Sequence, residues 1–397
     1  MKITKIEVYG FGFREKMPST PIGCRVFTDE GIFGDGEAAL AYGTGAHAAF
    51  GMIRDLAKLV IGMDPIDNEV IWDKMHKETF WGMAGGPVVF AGISAVDMAL
   101  WDIRAKTFGV PLYKLLGGKR NPDLRCYASQ IQSGFSKHPG ILTKPEEYAE
   151  IASYCVKELG YDAVKIDFLC FDENGRLFNR DKKRCKLDNR TLKTAVSRVE
   201  AVRKAVGDDV DIIIENHSNL DAMSAIQFAR AAEPYNIFFF EEPNTPSAKT
   251  SKYICENINI PVANGERIFS RWQYMPYFEA SALQVAQPDI GTCGGFTEAK
   301  KICDIAHTYD VAVQAHACGS PLSSVAAVQL ETALPNFIIH EHHLCFLQDF
   351  NIAICKYDYQ PVNGRISAPD IPGIGNEWSD EAIAAAVKET VDSGVGF

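Results

Sequence analysis

A regular alternation of short apolar runs with amphipathic stretches restricts the fold of this 397-residue chain more than any other feature. From Cys126 onward each apolar run ends in a polar residue, and most run ends recur after about 25 residues, the length of one strand plus one helix. Eight parallel strands at that period predict a closed barrel. The eight candidate strands end near Gln130, Asp167, Glu215, Glu241, Glu266, Asp289, His316 and Glu341.

The first part of the chain has a different pattern. Residues 2–9 and 22–28 alternate as strands, a further strand is expected near Gly34, and helical spacing predicts helices near 46–61, 67–77 and 86–107. These elements predict an α+β capping domain over residues 1–123, followed by the barrel over residues 124–371. A last helix, capped by Ser379 and running from Asp380 to Thr390, is expected to return to the first domain, so that residues 372–397 complete it.

Composition excludes several classes of partner. The net charge is −11 and no stretch is dense in lysine and arginine, which argues against nucleic acid or an anionic membrane. The N-terminus lacks the apolar stretch of a signal peptide, and no apolar run approaches membrane-spanning length. The 11 cysteines are scattered without a C-x-x-C pair, so neither a disulfide framework nor a zinc knuckle is indicated. A cytoplasmic location is the simplest expectation.

Three of the strand ends are glutamates, Glu215, Glu241 and Glu266. The carboxyl ends of barrel strands meet at one rim, where like charges in a site of low dielectric oppose ionisation. A divalent cation removes this cost, and ligands that offer only oxygen favour Mg²⁺ or Mn²⁺ over Zn²⁺. Arg267 is the main competitor for neutralising Glu266.

Other polar residues at the rim are candidates for proton transfer. His316 and Asp289 end neighbouring strands, where the aspartate can orient the imidazole and raise its basicity. His217 lies two residues after a predicted ligand and is expected to point toward the site. Lys165 is either a general base or a counter-ion of the carboxylates. Glu341 is either a protonated hydrogen-bond donor or a structural partner of a lysine or arginine.

The size of enzymatic rate enhancements favours a metal-assisted reaction. One positioned acid or base contributes roughly 10²- to 10⁴-fold, whereas enzymes reach at least about 10⁶-fold. A cation that stabilises an oxyanion can supply the rest of the rate enhancement. The chemistry predicted from these residues is therefore removal of a proton beside a carboxylate, through an enediolate.

Several motifs together resemble the enolase superfamily, and within it the mandelate racemase subgroup. Some motifs in the second half of the chain are most similar to acid-sugar dehydratases of the galactonate and mannonate kind. The general motifs are Val96-Asp-Met-Ala-Leu-Trp-Asp102, Leu115-Leu-Gly-Gly118, Glu241-Glu-Pro243 and Pro372-Gly-Ile-Gly375. The dehydratase-like motifs are Glu215-Asn-His217, Gly265-Glu-Arg267, Gln287-Pro-Asp289 and Gly294-Gly295.

The resemblance implies a modified (β/α)7β barrel and a role for each site residue. The three glutamates would bind one Mg²⁺, for which Mn²⁺ is a possible substitute. His316, paired with Asp289, would remove the α-proton of a sugar acid, and His217 would protonate the departing β-hydroxyl. Glu341 would hydrogen-bond the substrate carboxylate, and the product would be a 2-keto-3-deoxy acid. The partner would be a small carboxylate, and relatives are commonly homo-oligomers.

Two positions depart from the resembled pattern. The first ligand is usually aspartate and is Glu215 here, and the second strand carries Lys165-Ile-Asp167 where several relatives carry two lysines. A racemase or epimerase that uses Lys165 and His316 on opposite faces of one carbon therefore stays open. So do glycoside hydrolysis without a metal and a barrel that has lost activity and serves as a binding protein.

Substrate choice is expected to depend on two loops of the capping domain, near Gly12 to Ile22 and Ala39 to Phe50. The side chains that could contact the substrate there are Arg14, Lys16, Tyr42 and His47.

Overall fold

The structure is a computed structural model that describes residues 1–14, 19–137, 140–178 and 184–394. Its strands are β1 (Ile3–Gly10), β2 (Ile22–Thr28), β3 (Phe33–Ala38), β4 (Leu124–Ser129), β5 (Ala163–Ile166), β6 (Asp211–Glu215), β7 (Ile237–Glu241), β8 (Val262–Asn264), β9 (Val285–Ala286), β10 (Ala312–Val313), β11 (His340–His343), β12 (Arg365–Ile366) and β13 (Val387–Asp392). Its helices are α1 (Ala46–Val60), α2 (Asn68–Glu78), α3 (Pro87–Thr107), α4 (Leu112–Leu115), α5 (Pro145–Lys157), α6 (Asn189–Val206), α7 (Ala222–Ala232), α8 (Ala248–Cys255), α9 (Ser270–Glu279), α10 (Gly295–Thr308), α11 (Pro321–Ala333), α12 (Asp349–Ile352) and α13 (Asp380–Ala385).

The three N-terminal strands and β13 form an antiparallel sheet in the order β13-β1-β2-β3. Helices α1 and α3 pack on this sheet, and α2 packs on both helices. Helix α3 lies so close to β3 that a Cβ on Gly36 would stand 1.9 Å from the carbonyl oxygen of Ala95. The apolar positions with helical spacing in α3, among them Ile93, Val96 and Leu100, are fully buried. The helices expected near 46–61, 67–77 and 86–107 are confirmed to within a residue at each end.

The end of the chain differs from the prediction. Helix α13 stops at Ala385, and residues 387–392 form β13, which pairs antiparallel with β1 from Lys5↔Asp392 to Gly10↔Val387. The expected helix to Thr390 is therefore wrong in its second half. The β-branched residues of this segment favour a strand, and β1 otherwise presents an unpaired edge. The expected return of the C-terminal segment to the first domain does occur.

The second part of the chain is a parallel barrel whose hydrogen-bonded order is β10-β9-β8-β7-β6-β5-β4-β11. A bridge between Val313 and Phe337 joins the two ends of this order, and β12 adds antiparallel to β4. Within the described parts of the chain, α5 to α11 alternate with β4 to β11, which confirms the (β/α)7β prediction. Of the insertion from Cys170 to Arg190, residues 179–183 lie outside the described residues.

Six barrel strands, and the residue just before β11, each contribute one apolar side chain to the barrel interior. This cluster is a dry floor beneath the carboxyl ends of the strands. Its fully or nearly fully buried members are Tyr127, Ala163, Ile213, Phe239, Ala263, Val285 and Ile339.

Elsewhere, the described part of the chain contains no helix with the length and apolar character needed to cross a bilayer.

Candidate active site and metal centre

A layer of polar side chains lies directly above the apolar floor of the barrel. Alternate residues of a strand share a face, so the residue two positions after each floor residue also points inward. These inward polar residues are almost fully buried. They include Ser129, Lys165, Glu215, Glu241 and Glu341.

Glu215, Glu241 and Glu266 form a compact carboxylate triad. One oxygen of each lies within 4.8 Å of the others, and Glu215 and Glu241 are only 2% and 1% exposed. Burial raises the pKa of Glu241 to about 8; Lys165 opposes this rise, and Glu215 adds to it. The buried Oε2 of Glu241 has no hydrogen-bond partner among the described residues. An unpaired buried carboxylate oxygen in an all-oxygen cluster fits a hard divalent cation.

Arg267 contacts the outer side of this triad. Its Nη1 donates to Glu266 and to Glu242, the middle residue of the Glu-Glu-Pro sequence, which has a positive φ of 45°. Burial acts to raise the pKa of Glu266, and His316 and Arg267 outweigh it, so that this pKa lies below its usual value. Arg267 thus pairs with Glu266, the residue that the sequence analysis expected it to neutralise.

Two histidine–aspartate pairs flank the triad. His316 Nδ1 lies 2.6 Å from Asp289 Oδ2, while its Nε2 lies 3.1 Å from Glu266. His217 Nδ1 lies 2.8 Å from Asp167 Oδ2, while its Nε2 lies 3.1 Å from Glu215. Each imidazole is therefore oriented by an aspartate on one nitrogen and faces the triad with the other.

The same carboxylates affect the protonation of both imidazoles. Burial lowers the pKa of His217, but Glu215 and Asp167 outweigh it and raise this pKa to about 10. Burial likewise opposes the protonated form of His316, but Glu266 and Asp289 hold its pKa well above the ordinary value. In both cases the surrounding carboxylates favour the imidazolium form of the ring.

Lys165 lies at the centre of the acidic residues. Its fully buried Nζ is 2.6 Å from Glu241 and 2.8 Å from Glu341, with Glu215 at 3.8 Å. Burial acts to lower the pKa of Lys165, and the three glutamates outweigh it, so that this pKa is well above its usual value. These contacts are those of a counter-ion.

Of the two interpretations of Glu341, its contacts favour a carboxylate paired with a lysine over a protonated donor. Its oxygens accept from Lys165, from Ser129 Oγ and from the backbone N–H of Ala317. Burial alone would raise the pKa of Glu341, but Lys165 and His316 lower it well below its usual value. The neighbouring ammonium is the physical reason, and the sequence could not show that Lys165 on β5 reaches Glu341 on β11, two strands away.

The site opens into a cavity of about 890 Å³ between barrel and capping domain. Of the capping side chains expected to contact the substrate, Tyr42 lines this cavity together with Ala39 and Leu40. His47 is exposed and packs on Phe13, with ring centroids 4.0 Å apart. Arg14 is exposed, and Lys16 lies outside the described residues.

Sequence reasoning missed two residues of the site. Gln130 Nε2 donates to Glu215 at 3.0 Å from a backbone with a positive φ of 71°. Such a backbone is costly for any residue except glycine, and this strain is common at functional sites. Asp167 was recognised only as a strand end, whereas it is the partner of His217. The available signal for this pair was that Asp167 and His217 follow neighbouring parallel strands, β5 and β6.

Comparison with known proteins agrees with this geometry. Residues 147–382 match the family described as enolase C-terminal domain-like. Residues 19–117 match the mandelate racemase / muconate lactonizing enzyme N-terminal domain. The chain belongs to the mandelate racemase / muconate lactonizing enzyme family of the enolase superfamily. The similarity thus includes both the capping elements and most of the barrel.

Individual members of the family are similar over nearly the whole chain. A D-galactonate dehydratase of Pectobacterium atrosepticum is 28% identical over 99% of this chain and 96% of its own length. A D-xylonate dehydratase of Haloferax volcanii is 30% identical over 92% of this chain and 85% of its own. The solved structure of an enolase superfamily member from Salmonella Typhimurium is 47% identical, with a TM-score of 0.95 over 98% of this chain and all of that one.

Proposed function

We propose that this protein is a Mg²⁺-dependent dehydratase that converts an aldonate-type sugar acid to a 2-keto-3-deoxy acid. The observation that carries the proposal is the pair of aspartate-oriented histidines, His316 and His217, on either side of the carboxylate triad. Dehydration needs one group to remove the α-proton and a second to protonate the leaving hydroxyl. The names of the two dehydratase relatives support this reaction class.

The triad Glu215, Glu241 and Glu266 would hold the metal. A cation there would compensate the charge of the triad, including Glu266 beside His316, and would stabilise negative charge that develops on the substrate carboxylate. The fit rests on the all-oxygen ligand set and on the unpaired Oε2 of Glu241.

The chain's own residues carry the proton transfers. Neutral His316 accepts the C2 proton on Nε2, and Asp289 keeps the ring oriented and stabilises the imidazolium that forms. His217, as an imidazolium oriented by Asp167, donates its Nε2 proton to the departing β-hydroxyl, which leaves as water. The enol that remains tautomerises to the 2-keto product. Lys165 stays an ammonium and balances Glu241 and Glu341.

The reaction is tested by incubating the purified protein with aldonic, aldaric and uronic acids and Mg²⁺, and by measuring 2-keto acid formation. We expect turnover with at least one aldonate, and loss of turnover in excess EDTA. Full activity in EDTA would instead point to glycoside hydrolysis or another reaction without a metal. Absence of turnover throughout such a set would contradict the substrate class.

The roles of the two histidines are tested in deuterated water. The variant His316→Asn should neither form product nor exchange the α-proton, because the base is gone. The variant His217→Asn should exchange the α-proton while losing product formation by about 10²- to 10⁴-fold. His307→Asn, an exposed histidine on α10, is the matched control and should behave as the parent.

The same experiment separates dehydration from racemisation. A racemase would return deuterium to C2 with inversion and form no keto acid. It would also need a neutral Lys165, whereas this lysine is buried against two glutamates within 2.8 Å. Deuterium exchange without keto acid in the parent protein would overturn the dehydratase proposal. A binding protein without activity would bind an aldonate and show neither exchange nor product.

A further inference from the structure

Two thiols and one imidazole meet at the mouth of the cavity, apart from the carboxylate triad. Candidate ligand atoms of Cys318, His343 and Cys345 all lie within 4.8 Å of one another. Cys318 Sγ and His343 Nε2 are 3.6 Å apart. A tetrahedral ion with bonds of about 2.0 to 2.3 Å to nitrogen and sulfur holds its ligand atoms at about that separation.

The three residues come from two neighbouring parts of the barrel rim. Cys318 lies in the loop between β10 and α11, and His343 ends β11. Cys345 follows in a short helical turn, where its backbone N–H donates to His343 Nδ1 at 3.0 Å. Tyr42, from the capping domain, lines the same cavities beside this cluster. Two sulfurs and one nitrogen thus converge from two segments of the barrel rim, next to a phenol from a third.

The cluster can be reached from solution. Cys318, His343 and Tyr42 line the main cavity, and His343, Cys345 and Tyr42 line an adjoining one. Cys318 is partly exposed and Tyr42 is about half exposed. A cation therefore has an entry path without unfolding of the barrel.

The composition of the cluster selects the ion. Thiolates and imidazole are soft or borderline ligands that prefer Zn²⁺, whereas the carboxylate triad offers only hard oxygen atoms. The neighbouring Cys345 thiol and burial raise the pKa of Cys318. Because a metal-bound cysteine must lose its proton, ligation at this cluster is expected to strengthen as pH rises.

We propose that Cys318, His343 and Cys345 form a second metal site, specific for a thiophilic divalent cation such as Zn²⁺, with Tyr42 or water in the fourth position. Ligation releases the two thiol protons. For Nε2 of His343 to bind the ion, the neutral imidazole must carry its proton on Nδ1. The backbone N–H of Cys345, which now donates to Nδ1, must then find another acceptor. Binding therefore reorders the segment from His343 to Cys345.

An ion at this site would connect the capping domain to the barrel at the cavity mouth. Cys318 is two residues after His316, and His343 is two residues after Glu341, so the site adjoins the reaction centre. Zn²⁺ is therefore expected to inhibit turnover. This consequence rests on the proposed function, whereas the metal site itself does not.

The test uses Co²⁺ as a spectroscopic probe of the full-length, reduced protein in saturating Mg²⁺. Thiolate ligation gives an intense charge-transfer absorption in the near ultraviolet that carboxylate ligation cannot give. We expect one equivalent of Co²⁺ per chain to produce this band and Zn²⁺ to displace it. The variants Cys318→Ser and Cys345→Ser should lose the band, and their affinity for Zn²⁺ should fall by more than about 100-fold, since even outer partners of metal ligands contribute about 10- to 100-fold.

Cys185→Ser, which removes an exposed thiol elsewhere, is the matched control and should keep the band. Thermal unfolding of each metal-free variant shows whether it is folded. A Co²⁺-loaded parent without the band, or a band that persists in both cluster variants, overturns the site. The expected inhibition of turnover by Zn²⁺ is tested by activity assays of the same variants. Zn²⁺ should inhibit the parent but not Cys345→Ser. Equal inhibition of both proteins would mean that Zn²⁺ acts at the carboxylate triad instead.

Discussion

At the scale of single residues, each site histidine depends on one aspartate. Asp167 Oδ2 lies 2.8 Å from His217 Nδ1 and is almost fully buried. The variant Asp167→Asn removes a charge that raises the pKa of His217, and it weakens the orientation of the ring. We expect kcat for dehydration to fall by about 10²- to 10⁴-fold while α-proton exchange persists.

The measurement is parallel assay of keto-acid formation and of deuterium exchange at C2. A purely structural role for Asp167 would instead reduce exchange and dehydration by the same factor. Asp208→Asn, an exposed aspartate after α6, is the matched control.

Lys165 gives a second prediction at this scale. The variant Lys165→Met leaves Glu241 and Glu341 buried without their cation. We expect the free energy of unfolding, measured by urea titration in EDTA, to fall by about 3–5 kcal/mol. The exposed pair of Lys119 and Asp370 provides the comparison, because Lys119→Met should cost no more than about 1 kcal/mol. Equal effects of the two substitutions would contradict the counter-ion role.

The residue contacts show where sequence reasoning stops. His217 was expected to face the site because it lies two residues after Glu215, as in a strand. Strand β6 ends at Glu215, and His217 has a positive φ of 46°, so the alternation no longer applies. The side chain reaches the site because Asp167, which follows the neighbouring strand β5, holds it there. A contact of this kind depends on backbone conformation that residue spacing does not encode.

At the scale of secondary-structure elements, the packing of β3 on α3 decides how the capping domain is built. A methyl group on Gly36 would meet the carbonyl of Ala95 at 1.9 Å. We expect Gly36→Ala to lower the free energy of unfolding by at least about 1–3 kcal/mol, because strand and helix must separate. Chemical denaturation measures this change.

Gly51, inside α1, provides a control of opposite sign. A Cβ there has no atom within 4 Å, and helix interiors favour alanine over glycine. Gly51→Ala should therefore stabilise the protein by about 0.5–1 kcal/mol. If both substitutions destabilise to the same extent, close approach at Gly36 is not the cause of its effect.

Element type was predictable wherever the local pattern agreed with the tertiary contacts. The first four barrel strands end within a residue of the predicted positions, because each is a clear apolar run. Strands β8, β9 and β10 stop two or three residues before Glu266, Asp289 and His316, so these side chains lie on loops. The C-terminal segment was misassigned because its strand conformation depends on the free edge of β1, which lies at the other end of the sequence.

At the scale of the whole molecule, buried acids join the capping domain to the barrel. Asp97 of α3 accepts from Thr297 N at 3.0 Å and from its Oγ1 at 2.5 Å. Glu37 of β3 accepts from the backbone N–H and the hydroxyl of Ser320 at 2.9 and 2.5 Å. Burial raises the pKa of Asp97 and of Glu37 to about 7 each.

These raised pKa values predict a pH dependence of stability. Between about pH 4 and pH 7 the folded state binds more protons at these two acids than the unfolded state does, so their contribution to stability falls as pH rises. Below and above this window it is constant. Urea unfolding of the parent and of Asp97→Asn across pH 4–8 should show a shallower decline in the variant. An identical decline in both would contradict the assignment to Asp97.

The convergence of the site was predictable at this scale because a parallel barrel brings all strand ends to one rim. The triad and the pair of His316 and Asp289 come together for that reason. The cluster of Cys318, His343 and Cys345 was not anticipated, because Cys318 lies in a different segment from the other two residues and the cysteines match no local metal-binding spacing. Short sequence motifs reveal ligands only when neighbours in sequence are neighbours in space.

The pairing of β13 with β1 has a consequence for how the protein is made on the ribosome. Synthesis proceeds from the N-terminus, so β1 emerges first and its partner emerges only after every barrel strand. This edge of β1 therefore gains its partner only after the barrel strands have been synthesised. The four-stranded capping sheet is completed later than the barrel strands, although three of its strands precede them in the sequence.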